Sequence, residues 1–385
     1  MTPPRGFPVS EFQQRVAAAQ WLMAENDLAA LLLTTEPEIR YYTGFLTHFW
    51  ESPTRPWFVV VPASGDPIAV IPSIGAHLMG QSWITDIRTW AAPDYHDDGI
   101  GLLGDVLSEI VPASGKIGLA DQMESHVRMP LADLRRLEAA LSPRSIVGDA
   151  TITRQLRLVK SEAEIAKIRH AAGIANRAFD RVPEHVSAGM SLADVFRRFE
   201  MLCLEEGADW VPYLAGAADV GGYADVISPA TDTPLAMGDV LMLDTGLVWD
   251  GYFCDFDRNY SLGLPTLDVA AAHARLIDAT QAAADIAKPG AVISDLFHAM
   301  NRVVNPSGNA MEAGRLGHGL GMQLTEWPSI IPQDQTVLVP GMVLTLEPSV
   351  TVRDGKILVH EENIVIRAGG ADFLSAPQSH DIRVI

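Results

Sequence analysis

Cysteine is scarce in this sequence, and basic residues are few compared with acidic ones. Only two cysteines, Cys203 and Cys254, occur in 385 residues, so we expect no disulfide framework and a reducing compartment. Aspartate and glutamate number 48 against 28 lysines and arginines, which gives a net charge of -20. Because such a surface repels phosphate backbones, we expect no nucleic-acid partner.

Long uncharged hydrophobic runs are also missing. The first residues, MTPPRGFPVSEFQQR, contain no apolar segment of the signal-peptide type, and no stretch reaches the roughly 18 apolar residues that a membrane helix needs. We therefore expect a cytoplasmic protein that does not enter a membrane. Hydrophobic residues still make up 48% of the chain, which is enough for sizeable cores and argues against disorder.

The first part of the chain alternates between helical and strand-like patterns. Apolar runs that predict strands lie at residues 29–35, 38–45, 57–62, 67–72 and 116–120. Apolar positions at helical spacing lie at residues 10–25, 98–110 and 127–141. This alternation predicts an α/β domain over about residues 1–150.

A second domain is predicted over about residues 155–385. Ser161 and Glu164 fit a capping box at the start of a long amphipathic helix. Further helices are predicted after Ser191, at 267–287 and at 293–304. Strand-like segments accompany them, namely VLMLD, YFCDFDRNY, VLTLEPSV and ILVHEENIVI. We expect an α+β domain with helices packed on a curved antiparallel sheet.

Two predicted hairpins each present a pair of carboxylates within apolar strands. In the first, Asp244 and Asp255 lie near the same level on the two arms that flank an Asp-Gly turn. In the second, Glu347 and Glu361 lie at matching heights around another Asp-Gly turn at 354–355. The two spacings differ in parity, so one hairpin must contain an odd-length loop or a bulge.

His318 lies between the two hairpins in the sequence and is surrounded by glycines. Buried carboxylates are costly unless their charge is compensated, and two divalent cations can compensate four of them. A set of acids with one imidazole suits manganese, cobalt, iron or zinc. The residues alone leave a second interpretation open, in which each acid is a solvated strand-edge residue and His318 belongs to a loop.

These segments together resemble the M24 "pita-bread" metallopeptidase family, which includes Xaa-Pro aminopeptidases, prolidases, methionine aminopeptidases and creatinases. The segments LMLDTG, FCDFDRNY, GHGLGMQLTEWP, LTLEPS and HEENIVI occur in the family's order and spacing, and EIRYYTGF is similar to a stretch of the creatinase-type N-terminal domain. The resemblance covers nearly the whole chain. It implies a creatinase-type N-terminal domain over 1–150, a pita-bread catalytic domain over 155–385, and a homodimer.

The resemblance also implies five metal ligands. Asp244 would hold one metal, Asp255 and Glu361 would bridge two, and His318 and Glu347 would complete the shell of the other. Glu347 would serve as general base or proton shuttle as well. The implied activity is cleavage of a peptide or amide bond by metal-activated water at two divalent ions, which would be manganese, cobalt, zinc or iron.

Three departures from the family's peptidases affect the residues that handle the peptide. Thr325 stands where a second histidine follows the metal-binding one, no histidine occurs in residues 186–272, and Val359 replaces an arginine. A threonine hydroxyl donates a hydrogen bond but carries no charge near neutral pH. We therefore expect an intact metal centre with altered peptide handling, in which Thr325 is a candidate catalytic residue together with His318 and Glu347.

Two alternative functions follow from these departures. The first is a hydrolase or lyase of small solutes, of the creatinase, ectoine hydrolase or dimethylsulfoniopropionate lyase type. The second, from another class, is a catalytically silent binding module. In either enzyme the partner is a short peptide or a small molecule. Candidate substrate contacts, each of which could instead serve packing, are His48, Trp50, Arg55, Tyr213, Tyr223 and Trp327. The segment 210–223 is predicted to be a loop.

Overall fold

The structure, a computed structural model, describes residues 2–52, 55–307, 314–353 and 355–385. Two compact units make up the chain, Pro4–Arg157 and Leu158–Ile385, and the first three residues are grouped with the second of these. None of the helices in these described ranges is both long and apolar enough to cross a membrane.

The first unit is built on one sheet. Its helices are α1 (Val9–Glu25), α2 (Glu36–Thr43), α3 (Ala76–Met79), α4 (Ile100–Ile110), α5 (Leu131–Leu141) and α6 (Ile152–Leu158), with 3-10 turns at His48–Glu51 and Ser73–Gly75. Its strands are β1 (Ala30–Leu33), β2 (Phe58–Pro62), β3 (Ile68–Pro72), β4 (Asp86–Trp90), β5 (Lys116–Leu119) and β6 (Ser145–Gly148). Their order is β4-β3-β2-β1-β5-β6, with antiparallel pairs at the centre and parallel pairs outside. Helices α4 and α5 share a core with this sheet.

The strand predicted at 38–45 is wrong, because these residues belong to α2. Thr35 and Glu38 form a capping box, in which the Thr35 hydroxyl donates to Glu38 Oε2 over 2.6 Å. Pro37 lies in the first turn, and Gly44 ends the helix with a left-handed backbone at φ 75°. Nearly every residue of α2 is buried, so the segment lacks the polar face that would have shown a helical period.

The second unit contains helices packed on antiparallel sheets. Its helices are α7 (Glu162–His185), α8 (Leu192–Glu205), α9 (Leu267–Ile286) and α10 (Ile293–Val304). Its strands are β7 (Trp210–Val220), β8 (Asp239–Trp249), β9 (Tyr252–Phe253), β10 (Phe256–Ser261), β11 (His318–Gly319), β12 (Glu326–Ser329), β13 (Val343–Leu346), β14 (Ser349–Arg353), β15 (Lys356–Val359), β16 (Glu362–Arg367), β17 (Gly370–Phe373) and β18 (Arg383–Val384). The capping box predicted at Ser161 is present at the start of α7.

Two larger sheets organise this unit. One has the order β18-β10-β8-β7, with β9 also paired to β8, and the other has the order β12-β11-β13-β16-β17. Helices α7 and α8 share a core with β8 and β10, whereas α9 and α10 share one with β13 and β16. Strands β14 and β15 form a separate pair.

The loop predicted at 210–223 is wrong over most of its length, because Trp210–Val220 forms β7. This strand pairs with β8 along nearly its whole length, with a register shift between Trp210 and Tyr213. A strand is predicted from alternating large apolar and polar side chains. This segment contains mostly small residues and one proline, so it lacks that alternation. Its pairing partner supplies the packing that its own side chains lack.

Candidate metal centre

Three buried side chains from distant parts of the second unit converge. Asp255, His318 and Glu361 each contribute one ligand atom to a group whose atoms all lie within 4.8 Å of one another. His318 Nε2 lies 3.4 Å from Asp255 Oδ2 and 3.9 Å from Glu361 Oε1. One imidazole and two carboxylates at this spacing form a donor set that suits a divalent transition metal.

Strand interruptions place three of the candidate ligands. Asp255 lies between β9 and β10, Glu347 between β13 and β14, and Glu361 between β15 and β16. At each interruption the backbone N–H finds another acceptor: Asp255 N–H donates to Asn363 Oδ1, Glu347 N–H to Leu316 O, and Glu361 N–H to Asp257 Oδ1, each over 3.0 Å. The backbone at each interruption is therefore held by hydrogen bonds outside the regular strand pairing.

The strand register corrects one predicted pairing and supports another. The residue directly opposite Asp244 on the neighbouring strand is Asp257, not Asp255. Asp255 therefore lies two residues away from the level of Asp244, toward the turn of the hairpin. In the second hairpin Leu346 pairs with Glu362 and Ser349 pairs with Val359, which puts Glu347 and Glu361 at the same level, as predicted. The expected irregularity lies between Thr351 and Arg353, and Asp354 of the turn lies outside the described residues.

His318 is held so that one ring nitrogen faces the acids. Its Nδ1 lies 2.8 Å from the carbonyl oxygen of Gly319, which assigns the proton to Nδ1 and leaves the lone pair on Nε2. Its backbone N–H donates to Thr345 Oγ1 over 3.2 Å. Burial, together with the positive charge of Arg315, lowers the pKa of His318 to about 4, so the imidazole is neutral at physiological pH and able to ligate a cation.

Among the described residues, Arg315 offsets only part of the negative charge of the carboxylates in this region. Burial and the neighbouring acids raise the pKa values of Asp244, Asp255 and Glu361 well above the ordinary range. Burial also raises the pKa of Glu347 to about 7, an effect that the positive charge of Arg315 opposes. Asp244 Oδ1 and Glu361 Oε1 are buried and have no hydrogen-bond partner among the described residues. Bound cations would satisfy both atoms, so the residues present fit a divalent metal site.

A second group of charged side chains, next to the candidate ligands, makes ion pairs and contacts their backbone. His360 lies between Asp257 and Glu362, with its Nδ1 and Nε2 each 3.3 Å from the respective carboxylate oxygen. Arg258 Nη2 contacts Glu362 Oε2 at 3.1 Å and also donates to the carbonyl oxygen of Ala376. Because Asp257 accepts the Glu361 N–H, this network orients a candidate ligand.

The predicted substrate contacts of the second unit lie in different settings. Tyr213 on β7 is partly buried, and burial together with the negative charge of Asp244 raises the pKa of its hydroxyl, so it lies close to the acidic cluster. Tyr223 is only 1% exposed, and its hydroxyl donates to Asn259 Oδ1 and accepts from the Val359 N–H. These two hydrogen bonds hold the Tyr223 hydroxyl within the fold, and a role of Tyr223 in substrate binding stays a prediction. Trp327 is partly exposed on β12.

Thr325 lies just before β12 and accepts a hydrogen bond from Arg315 Nη2 at 3.3 Å. The sequence-based reasoning singled out Thr325 but missed Arg315, because a lone arginine in a glycine-rich segment has no periodic or pairing signal. It also missed Asn363, whose side-chain amide bonds both the N–H and the carbonyl oxygen of Asp255. The position of Asn363, two residues after Glu361 on a predicted strand, is a signal that could have found it.

His48, Trp50 and Arg55 belong to the first unit. His48 and Trp50 lie in the 3-10 turn His48–Glu51, and the Trp50 ring packs against Trp57 with centroids 5.7 Å apart. Arg128 donates hydrogen bonds to the carbonyl oxygens of Trp50 and Arg55. These contacts account for the local structure, and a role of the three residues in substrate binding stays a prediction.

Comparison with known proteins identifies the family. Residues 166–368 match the description of metallopeptidase family M24, and residues 15–159 match that of the creatinase/prolidase N-terminal domain. The chain belongs to metallopeptidase family M24. The predicted family, the two-domain fold class and the prediction of a metallohydrolase of this M24 family are confirmed.

Named relatives in the M24 family are peptidases. The chain is 30% identical over 352 residues to a probable dipeptidase PepE of Mycobacterium bovis, which covers 90% of this chain and 89% of that protein. It is 28% identical over 228 residues to an Xaa-Pro dipeptidase of Pyrococcus horikoshii, covering 58% of this chain and 64% of that protein. The crystal structure of dipeptidase PepE from Mycobacterium ulcerans superposes with a TM-score of 0.84 at 28% identity, over 98% of this chain and 99% of that one.

Proposed function

We propose that the protein is a dinuclear metal-dependent peptidase that hydrolyses short peptides of the Xaa-Pro type. The observation that carries this proposal is the buried group of Asp255, His318 and Glu361, together with the unpaired buried oxygens of Asp244 and Glu361. Two relatives, a probable dipeptidase and an Xaa-Pro dipeptidase, act by name on peptides, which supports a peptide substrate. Two ions are proposed because four carboxylates and one imidazole exceed the charge that one divalent ion balances.

The ligand assignment is the one that the resemblance to the M24 family implies, and the group of Asp255, His318 and Glu361 supports it. Asp244, Asp255 and Glu361 would hold one ion, and Asp255, Glu361, His318 and Glu347 the other. Divalent ions bound here would polarise a peptide carbonyl and lower the pKa of water. Manganese, cobalt, zinc and iron all suit this donor set.

The chain's own groups would manage orientation and protons. Glu347 lies among the acids and takes up a proton near neutral pH in the absence of metal, which fits the role of a proton shuttle. Burial and the negative charge of Asp244 raise the pKa of Tyr213, so its hydroxyl stays protonated and would be available as a donor to Asp244. Thr325 offers a neutral hydroxyl at the edge of the site.

A second candidate function is favoured by one observation. Thr325 and Val359 occupy positions where a basic side chain would assist peptide cleavage, and both are neutral. Hydrolysis or lysis of a small solute at the same metal centre would need less assistance of this kind. The substrate panel below separates the two functions.

The proposal is tested by assaying metal-stripped and metal-reloaded protein with Xaa-Pro dipeptides, other dipeptides, longer peptides and small amides. We expect cleavage of Xaa-Pro dipeptides that disappears on stripping and returns with manganese, cobalt or zinc. Asp255→Asn should abolish it, whereas Asp232→Asn, which neutralises an exposed loop carboxylate of the same unit, should leave it unchanged. Cleavage of small amides without any peptide cleavage would favour the second candidate function.

A homodimer and a cytoplasmic location stay predictions. Both cysteines are free and buried, which supports a reducing compartment. Sedimentation velocity of the full chain tests the dimer.

A further inference from the structure

A cavity lined by basic side chains lies in the second unit, beside helices α9 and α10. Its volume is about 680 Å³, which is within the range of cavities that hold small molecules. The side chains in its lining include Ile286, Lys288, Pro289, Asp295, His298 and Arg302. Among the described residues, none that lines this cavity belongs to the candidate metal centre, so the two sites are separate.

Lys288 differs from the other lysines of the chain because it makes no ion pair with any described residue. Each of the others has an acidic partner, namely Lys116, Lys160, Lys167 and Lys356. Acidic residues outnumber basic ones by 48 to 28, so acidic partners are plentiful in this chain. An exposed lysine without one keeps its positive charge for a ligand.

Helix α10 presents its polar face to the same cavity. Asp295, His298 and Arg302 are spaced by three and four residues, so they lie on one side of the helix, and all three are exposed. The other side of α10 packs into the core through Leu296 and Met300, which fixes the direction of the polar face. Arg302, like Lys288, makes no ion pair within the described part of the chain.

The lining is positive on balance. Asp295 is the one acid among its described residues, and Asp295 Oδ2 accepts the Val292 N–H over 3.4 Å at the start of α10. Lys288 and Arg302 outweigh this single carboxylate, and His298 adds a ring nitrogen that can donate a hydrogen bond. An anion is therefore attracted locally although the whole chain is acidic, because salt screens charges beyond about 8 Å at physiological ionic strength.

The turn that carries Lys288 is fixed by backbone hydrogen bonds. Lys288 O accepts the Ala291 N–H over 3.0 Å, and the Gly290 N–H donates to Leu338 O over 2.9 Å. Leu338 in return donates its N–H to Ala291 O over 2.8 Å. Because this wall of the cavity is already ordered, binding a ligand here costs mainly the freedom of side chains.

We propose that this cavity binds a small organic anion, whose carboxylate or phosphate group lies between Lys288 and Arg302 and whose apolar part contacts Ile286 and Pro289. The volume exceeds what one phosphate ion fills, since a water molecule takes up only about 30 Å³ in the liquid. The inference goes beyond the proposed peptidase function and does not depend on it.

Calorimetric titration of the metal-stripped full chain tests the site, because without metal the probes cannot bind to ions at the candidate metal centre. The probes are phenyl phosphate, benzoate and benzyl alcohol, which share a ring and differ in the charged group. We expect phenyl phosphate or benzoate to bind and benzyl alcohol to give no heat of binding. The anion that binds more tightly identifies the charged group that the cavity prefers. Its affinity should fall as sodium chloride is added, because the attraction is between charges.

Variants locate the binding. Lys288→Ala and Arg302→Ala should each weaken the better anion on the order of tenfold, because each removes a charge-assisted hydrogen bond. Arg302→Lys should weaken it less, since it keeps the charge but not the planar fork. Arg275→Ala removes an exposed arginine of α9 that does not line the cavity, and it should bind as the wild type does. The unfolding temperature of each variant without ligand should match that of the wild type.

The titration is repeated with metal-loaded protein, in which Lys288→Ala should cause the same fold-loss of affinity. Failure of both anions to bind, or affinities that neither Lys288→Ala nor Arg302→Ala lowers, would overturn the assignment. An equal loss in Arg275→Ala would overturn it as well, because the anion would then respond to the overall charge of the protein. Since no turnover is measured, the result is independent of whether the chain cleaves peptides.

Discussion

His273 shows how fully the second unit buries polar side chains around the candidate metal centre. Its ring is 0% exposed, and its Nε2 donates to the carbonyl oxygen of Ser379 over 3.0 Å. Burial lowers the pKa of His273 to about 4, and the positive charges of His360, His380 and Arg258 act in the same direction. The imidazole is therefore neutral in the folded protein at physiological pH.

This depressed pKa makes stability depend on pH. Between pH 6.5 and 4 the unfolded chain takes up a proton at His273 that the folded chain does not, so folding stability falls as the pH falls through this window and is fully present above it. The contribution at stake is about 3 kcal/mol, from 1.36 kcal/mol per pKa unit. In urea denaturation, His273→Asn should lose less stability between pH 7 and 4 than the wild type. Equal losses in both proteins would show that His273 does not titrate as described.

At the residue scale the candidate ligands could be predicted because charged groups within apolar strands are exceptional. Asp244, Asp255, His318 and Glu361 are buried in the second unit, and Glu347, which is partly exposed, interacts electrostatically with this group. The supporting residues could not be predicted equally well. Asn363 and Arg315 make hydrogen bonds to residues that are distant in the sequence. Tyr223 has the residue type of a binding group, but its hydroxyl makes hydrogen bonds inside the core.

At the scale of elements, the short strand β11 depends on a glycine before it. Gly317 has φ 134°, and a Cβ at this position would overlap the backbone carbonyl oxygen of Thr345. Thr345 also accepts the N–H of His318 through its side chain. The glycine therefore lets β11 approach β13 closely enough to place the imidazole among the acids.

A pair of glycine substitutions tests this positioning. Gly317→Ala should destabilise the protein by about 2 kcal/mol or more and reduce metal uptake, because neither the backbone angle nor the contact tolerates a side chain. Gly314→Ala, where no described residue lies within 4 Å of an added Cβ, should change stability by less than about 0.5 kcal/mol. Denaturant unfolding and metal analysis measure both effects. Equal behaviour of the two variants would contradict the role assigned to Gly317.

The prediction of elements succeeded where the periodicity was strong and failed where tertiary packing decided. Helices α7 to α10 were expected from their capping and apolar spacing, and they are present. Helix α2 was taken for a strand because almost all its residues are buried, and β7 for a loop because its small side chains give no alternation. In both segments the determining contacts come from other elements.

At the scale of the whole molecule, two compact units are present and the second contains every candidate ligand. The division into two domains could be predicted from the change in sequence pattern, and so could the hairpin that joins β8 and β10. The pairing of β8 with β7 and the exact register of β8 with β10 could not, since register emerges only when the strands meet. The net charge of -20 is concentrated in part at the buried acids of the second unit, which need cations to remain ionised.

The central claim is that these buried acids and His318 form a two-metal site, and metal binding by stripped protein tests it most directly. Calorimetric titration with manganese or zinc, combined with elemental analysis, should give two divalent ions per chain for the wild type. His318→Ala and Asp255→Asn should each bind fewer, and Asp232→Asn should bind as the wild type does. Wild-type protein that binds no divalent ion, or ligand variants that bind both ions with unchanged affinity, would contradict the account.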